Sequence, residues 1–256
     1  MHYKNSPHLA IERFHLEFLR ALSSQIDPAL YAVKGGCNLR LCLGSVRCSE
    51  DLDIDVRKIA PGTLAGHVTK ILKSRLPKAL LPTGMSISQF SGPKQTDTVQ
   101  RWKATLLVGV SPVSTKVEFS RRGLDSGVVR ELISSQIAAV HQISPFALPH
   151  YGVAAAVYQK VAALAGRPLT QARDIFDLHF LFSQGGLPFL KEVSSGLLAK
   201  AAENSMSISY RDYLGQVVAY LPMEQKADYE PKSIWTAMQE TVFGAPDQAA
   251  EGSAAS

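Results

Sequence analysis

The chain has 256 residues, of which 46% are hydrophobic and 19% charged, a balance that suits one large folded domain or two modest ones and excludes a disordered or low-complexity protein. Its net charge of +5 is regional: residues 57–130 hold thirteen Lys and Arg against three acids, whereas residues 1–56 come to −1 and residues 131–256 to −4. No apolar run is long enough to span a bilayer, and Cys37, Cys42 and Cys48, odd in number and without a C-x-x-C pair, indicate neither a disulfide framework nor a zinc site, so a reducing cytoplasm is expected.

Residues 9–22 place Leu9, Ile11, Phe14, Phe18, Leu19 and Leu22 at helical spacing with charges between them, which predicts an opening amphipathic helix. Asp27-Pro28 ends it, residues 31–33 read as a short strand and residues 38–43 as the start of a helix. Gly35-Gly36 lies between these last two, and a glycine pair lets backbone approach a phosphate closely, although it also suits a plain turn.

The segment Ser49-Glu50-Asp51-Leu52-Asp53-Ile54-Asp55-Val56 alternates carboxylates with apolar side chains. In an extended chain Asp51, Asp53 and Asp55 share one face, where three like charges repel unless a cation compensates them. Mg²⁺ is the economical cation, because it takes hard oxygen ligands and is held by one or two carboxylates together with substrate phosphates. A solvated edge strand would show the same alternation.

A helix is predicted over residues 63–75, ending before Pro77, and strands over 85–90, 101–110 and 115–120. Within the last strand Glu118 faces opposite to Val117 and Phe119, so it joins Asp51 and Asp53 if the two strands are neighbours. The basic segment that contains these strands suits a polyanionic partner, and nucleic acid is the commonest one.

From residue 148 onward the pattern is helical, with helices expected at 153–165, 171–182, 188–202, 210–220 and 232–243, and a small, polar, disordered tail over 244–256. The change of texture sets a boundary near Pro145 to Pro149, giving a domain of residues 1–147 and a helical domain of residues 148–256. Lys160 and Asp174 fall on consecutive helices and converge at one end of the hairpin, or else are an ordinary surface lysine and an N-terminal acid favoured by the helix dipole.

Two sets of residues carry a resemblance. Lys34-Gly35-Gly36, Leu39-Arg40-Leu41 and Arg47-Cys48-Ser49-Glu50-Asp51-Leu52-Asp53 resemble the "KGG…LR…R-x-S-E-D-L-D" motif of the AbiEii/AbiGii-type nucleotidyltransferase toxins of type IV toxin-antitoxin systems. Lys160-Val161-Ala162-Ala163-Leu164, Arg167 and Arg173-Asp174-Ile175-Phe176-Asp177-Leu178 are similar to that family's "K-x-x-A-L…R…R-D-x-x-D-L" signature. The resemblance implies an α+β fold: a polymerase β-like core, with a mixed sheet flanked by helices, followed by an all-helical C-terminal region. It further implies metal-dependent transfer of NMP from an NTP to an RNA acceptor such as the 3′ end of tRNA, by a toxin with a cognate antitoxin. On this reading Asp51 and Asp53 hold one or two Mg²⁺ with Glu118 as third carboxylate. Gly35, Gly36 and Ser49 receive the triphosphate, Lys160 neutralises phosphate charge, and Asp174 is catalytic. The gap from Gly36 to Asp51 is longer than in compact members, Glu stands where Asp is frequent at the third position, and residues 57–113 match no motif. Two alternatives stand beside it. One is a small-molecule, antibiotic-type nucleotidyltransferase, which would present an acidic pocket to a cationic substrate. The other is a non-catalytic nucleic-acid or protein-binding module on a degenerate core.

Overall fold

The computed structural model describes residues 6–254. They fall into two compact units, one of residues up to Gly44 together with Cys48–Tyr151, the other of Ser45–Arg47 together with residues from Gly152 onward.

In the first unit the chain runs α1 (Pro7–Ser23), β1 (Tyr31–Lys34), α2 (Gly35–Leu41), β2 (Asp51–Val56), α3 (Pro61–Lys70), α4 (Leu76–Leu80), β3 (Met85–Gln95), β4 (Val99–Val108), β5 (Ser111–Ser120), β6 (Val128–Leu132), α5 (Ser135–Val140) and β7 (Ala147–Tyr151). The strands form one mixed sheet in the order β3-β4-β5-β2-β1-β7-β6. β2 pairs antiparallel with β1 and parallel with β5, which brings the acidic strand to the middle.

Alternation then divides the sheet into two faces. Leu52, Ile54, Trp102, Leu106, Val117 and Phe119 point inward and are buried with Phe14, Phe18 and Leu22 of α1, and with Leu64 and Val68 of α3. Asp51, Asp53, Arg101, Lys103, Lys116 and Glu118 occupy the alternate positions and keep contact with solvent. Burying a Leu or Phe side chain contributes roughly 1.5–3 kcal/mol, so the apolar set fixes which face is inward and leaves the charges no choice of side.

Three local expectations differ from the structure. The predicted helix of residues 63–75 does not stop before Pro77: after α3 the backbone takes a wider turn over Ile71–Arg75 and α4 continues, with Pro77 in its first turn, where no N–H is required. β6 escaped the sequence pattern because four of its five residues are exposed, so it has no alternation to read. β7 contains Pro149, which reads as a strand breaker, yet its ladder with β1 needs only the Val33–His150 register pair. The sheet therefore extends to Tyr151, past the boundary expected at residue 147.

The second unit contains α6 (Val153–Gly166), α7 (Ala172–Leu181), α8 (Ser195–Met206), α9 (Tyr210–Gln216), α10 (Met223–Tyr229) and α11 (Lys232–Ala254). α10 has no buried residue and hence no apolar stripe to betray it. The tail expected to be disordered from residue 244 is helical as far as Ala254; residues 255–256 lie outside the described ones. Trp235, Met238, Val242, Ala245 and Ala249 are all buried at spacings of three and four, so the stripe carries the helix through Pro246. Among the described residues no helix is long and apolar enough to cross a membrane. None of the three cysteines is in a disulfide.

Candidate active site

Strand β2 builds the site. With Leu52 and Ile54 anchored in the core, Asp51 and Asp53 project together from the opposite face. Asp55 follows on that face but is buried, its carboxylate held by the Lys34 ammonium at 2.6 Å and by the Tyr151 hydroxyl at 2.8 Å. Parallel pairing sets Lys116 beside Asp51 and Glu118 beside Asp53. The Lys116 ammonium lies 2.7 Å from Asp51 Oδ2, and Arg101 Nε donates to Glu118 Oε2 at 2.6 Å. Both contacts of Arg101 fall on Oε2 of Glu118. The three carboxylates thus share a face without converging, and among the described residues no three His, Cys, Asp or Glu side chains form a metal-sized group.

Gly35 opens α2 at φ +66°, a left-handed backbone, and a Cβ built on it would stand 3.1 Å from Asp53 Oδ2. Only a residue without a side chain meets both conditions comfortably. Gly36 follows in the first turn of α2. Ser49 Oγ donates to the Asp51 carbonyl at 2.9 Å, and the Cys37 thiol donates to the same oxygen at 3.2 Å, so the entry into β2 is fixed from two sides. Beneath it, Thr115 Oγ1 donates to the Glu50 carbonyl at 2.7 Å and therefore accepts from His15 Nε2 at 2.8 Å. Burial pushes the His15 imidazole down to about 4 and it stays neutral; burial and the charge of Asp53 push the Cys37 thiol well up and it stays protonated.

Lys160 and Asp174 belong to the helical unit. Lys160 Nζ lies 3.1 Å from Asp174 Oδ1 and 2.6 Å from Asp177 Oδ2. Arg47 Nη2 completes the cluster at 3.0 Å from Asp177, and Arg167 Nε lies 3.3 Å from Asp174. Lys160 is 8% exposed and both aspartates 0%, so these charges are buried and not the surface pair that spacing alone allows. Burial alone would raise Asp177, but the charges of Arg47 and Lys160 and the hydrogen bonds they donate outweigh it and hold the carboxyl below its usual range.

The model of the family described as "Nucleotidyl transferase AbiEii toxin, Type IV TA system" matches residues 17–252. The chain belongs to the AbiEii nucleotidyl transferase toxin family. Similar solved structures include JHP933 from Helicobacter pylori, at 21% identity and TM-score 0.60 over 98% of this chain and 97% of that one. MenT4, a nucleotidyltransferase toxin from Mycobacterium tuberculosis, shares 20% identity at TM-score 0.62 over 93% and 82%. At such identities the likeness is one of fold. No curated protein matches the chain in sequence.

The donor set of this AbiEii-family chain fits a hard divalent cation in one specific way. Asp51 and Asp53 are two partly exposed carboxylates on one face, the number Mg²⁺ takes from protein when phosphates supply the remaining ligands. Asp51 already holds a cation, the Lys116 ammonium, in an exposed pair whose strength is only about 0–1 kcal/mol. Sequence reasoning overlooked Lys34 and Tyr151 as partners of Asp55, Arg101 as partner of Glu118 and Lys116 as partner of Asp51, because only the pairing of strands distant in sequence reveals them. It also assigned no role to Arg47 and Asp177, although both lie inside the quoted motifs.

Proposed function

We propose that this toxin transfers NMP from an NTP to the 3′ end of an RNA, tRNA being the expected acceptor, with Asp51 and Asp53 as ligands of Mg²⁺. The observation that carries the reading is the register of β2 and β5, which puts Asp51, Asp53 and Glu118 on one solvent-facing side of the sheet. Bound there, Mg²⁺ would supply positive charge against the triphosphate and the departing pyrophosphate. Gly35, whose missing side chain lets the backbone pass close to Asp53, and Gly36 after it receive the phosphate oxygens in this reading, and Ser49 keeps the strand entry rigid while its carboxylates are loaded. The attacking 3′-hydroxyl oxygen bonds to the α-phosphorus as the bond to pyrophosphate breaks, and the Glu118 carboxylate takes up the hydroxyl proton.

Lys160 and Asp174 act in this proposal by positioning, since they pair with each other, and Lys160 with Asp177, in buried ion pairs. A cationic antibiotic as acceptor is disfavoured by Lys103 and Lys116, which line the cavity beside Asp51. The test is incubation of purified protein with each labelled NTP, Mg²⁺ and total tRNA. Label retained on RNA with at least one NTP is the expected result; absence of label with all four overturns the reading. The family implies a cognate antitoxin, and expression of the toxin alone is expected to arrest growth.

A further inference from the structure

We propose that the outward surface of β3, β4 and β5 is the acceptor subsite, holding the last two nucleotides of the RNA strand in two adjoining cavities with Lys103 beneath the phosphate that joins them. This rests on the reading of the protein as an RNA nucleotidyltransferase. The first cavity, of about 500 Å³, begins at Asp51 and continues past Lys116, Ser114, Thr105, Gln89 and Ser91. The second, of about 290 Å³, is lined by Ser91, Gly92, Lys94, Arg101 and Lys103. Ser91 and Lys103 border both.

Strand register accounts for this surface. Lys116 lies opposite Lys103 and Lys103 opposite Ser91, so one row crosses the sheet from Asp51. The neighbouring row runs Asp53, Glu118, Arg101 and Lys94. Irregularities of register on either side of Gln89–Ser91 re-aim β3 there. At Gly92, φ is +125° and a Cβ would lie 2.7 Å from the Arg101 carbonyl, so the strand bends against β4 only because that residue has no side chain.

Two features choose the occupant. Lys116 and Arg101 are paired with carboxylates, whereas Lys103 and Lys94 have no carboxylate within ion-pair distance among the described residues. A lone ammonium at the junction of two cavities matches a chain that carries one negative charge per unit. The remaining lining of the first cavity is rich in hydroxyl and amide groups, which hydrogen-bond ribose and base edges. Its volume falls within the roughly 300–1,000 Å³ of small-ligand pockets.

Reaction geometry chooses the direction. In-line displacement puts the incoming oxygen and the leaving pyrophosphate on opposite sides of the α-phosphorus. With the triphosphate at Gly35 and Gly36, on the β1 side of β2, the acceptor must arrive from the β5 side. Glu118 and the first cavity both lie there.

The experiment measures binding of 5′-labelled total tRNA, without NTP or metal, to wild type, Lys103→Glu and Ser91→Asp, with a thermal melt of each. Both variants should bind tRNA at least tenfold more weakly, keep their melting temperatures, and bind each NTP with Mg²⁺ within twofold of wild type. The salt dependence of tRNA binding should fall by about one counterion in Lys103→Glu. Unchanged tRNA affinity in both variants overturns the subsite while leaving nucleotidyl transfer intact. Loss of NTP affinity with unchanged tRNA affinity overturns it too and assigns the cavity to the nucleotide substrate. A wild-type protein that neither labels nor binds tRNA removes the underlying function and the subsite together.

Discussion

Two groups of ion pairs in this molecule look alike on paper and differ in what surrounds them. On the sheet face, Asp51 pairs with Lys116 at 2.7 Å with side chains 31% and 41% exposed. In the helical unit, Lys160 sits between Asp174 and Asp177 at 3.1 and 2.6 Å, with side-chain exposure of 10% for the lysine and 0% for both acids. Water screens the first pair, so its partners exchange readily for other ions, and a face of this kind can load and release a substrate. Burial removes that screening from the second, so removing one member leaves a buried charge without its partner. Distance alone would have ranked the two pairs as equals; exposure to solvent is what separates them.

Breaking the buried cluster should have the largest effect. Asp177→Ala strands Arg47 and Lys160 and should cost about 3–5 kcal/mol, a large part of any domain's stability. Urea unfolding followed through Trp235, which lies in the helical unit, reads this directly. Lys160→Ala should behave similarly and lose activity in step with fold, so it cannot serve as a clean catalytic knock-out. A Lys160→Ala protein of wild-type stability without activity would reverse that assignment.

Asp51→Ala should show the opposite profile. Loss of one metal-binding carboxylate should lower turnover about 10²–10³-fold, or roughly 3–4 kcal/mol of barrier, and relieve growth arrest, while the melting temperature stays near wild type. Equal toxicity at equal expression would sink the metal-dependent reading.

Acid should separate the two units. His15 has its folded pKa lowered to about 4 from an ordinary 6.5, so the unfolded chain binds the extra proton first and stability of the sheet unit falls as pH drops from 6.5 towards 4. The loss is on the order of 3 kcal/mol. Asp177 has a lowered carboxyl pKa; its contribution is complete above the ordinary 3.8 and fades only below it. His179, partly exposed in the helical unit, is also lowered by burial and adds a lesser effect of the same sense as His15. The chain has two tryptophans, Trp102 in the sheet unit and Trp235 in the helical unit, so Trp102→Phe and Trp235→Phe variants report the units separately. A coincident acid transition for both reporters, unmoved by His15→Gln, would contradict the scheme.

The smallest effect belongs to the exposed pair. Lys116→Ala should change stability by less than about 1 kcal/mol. It should also tighten Mg²⁺ binding several-fold, by removing the cation that competes for Asp51. Weaker Mg²⁺ binding in Lys116→Ala would show that the lysine supports the site instead of competing for it.

Much of this was legible in the residues because it depends on local order. The alternation of residues 51–56 is a backbone property, so Asp51 and Asp53 share a face in any folded chain that keeps the strand extended and buries Leu52 and Ile54. The motif residues likewise placed the chain within its toxin family. What lay beyond reach was every property set by partners distant in sequence. Lys116 meets Asp51 and Arg101 meets Glu118 only through strand register, and Arg47 meets Asp177 across 130 positions of the chain. β6 carries no alternation and β7 hides behind Pro149, so the limit of the sheet at Tyr151 emerged only from pairing. Composition sees a lysine and an aspartate; whether they form a replaceable surface pair or a buried strut depends on how much water the tertiary structure leaves between them, because water is what sets the strength of the charge.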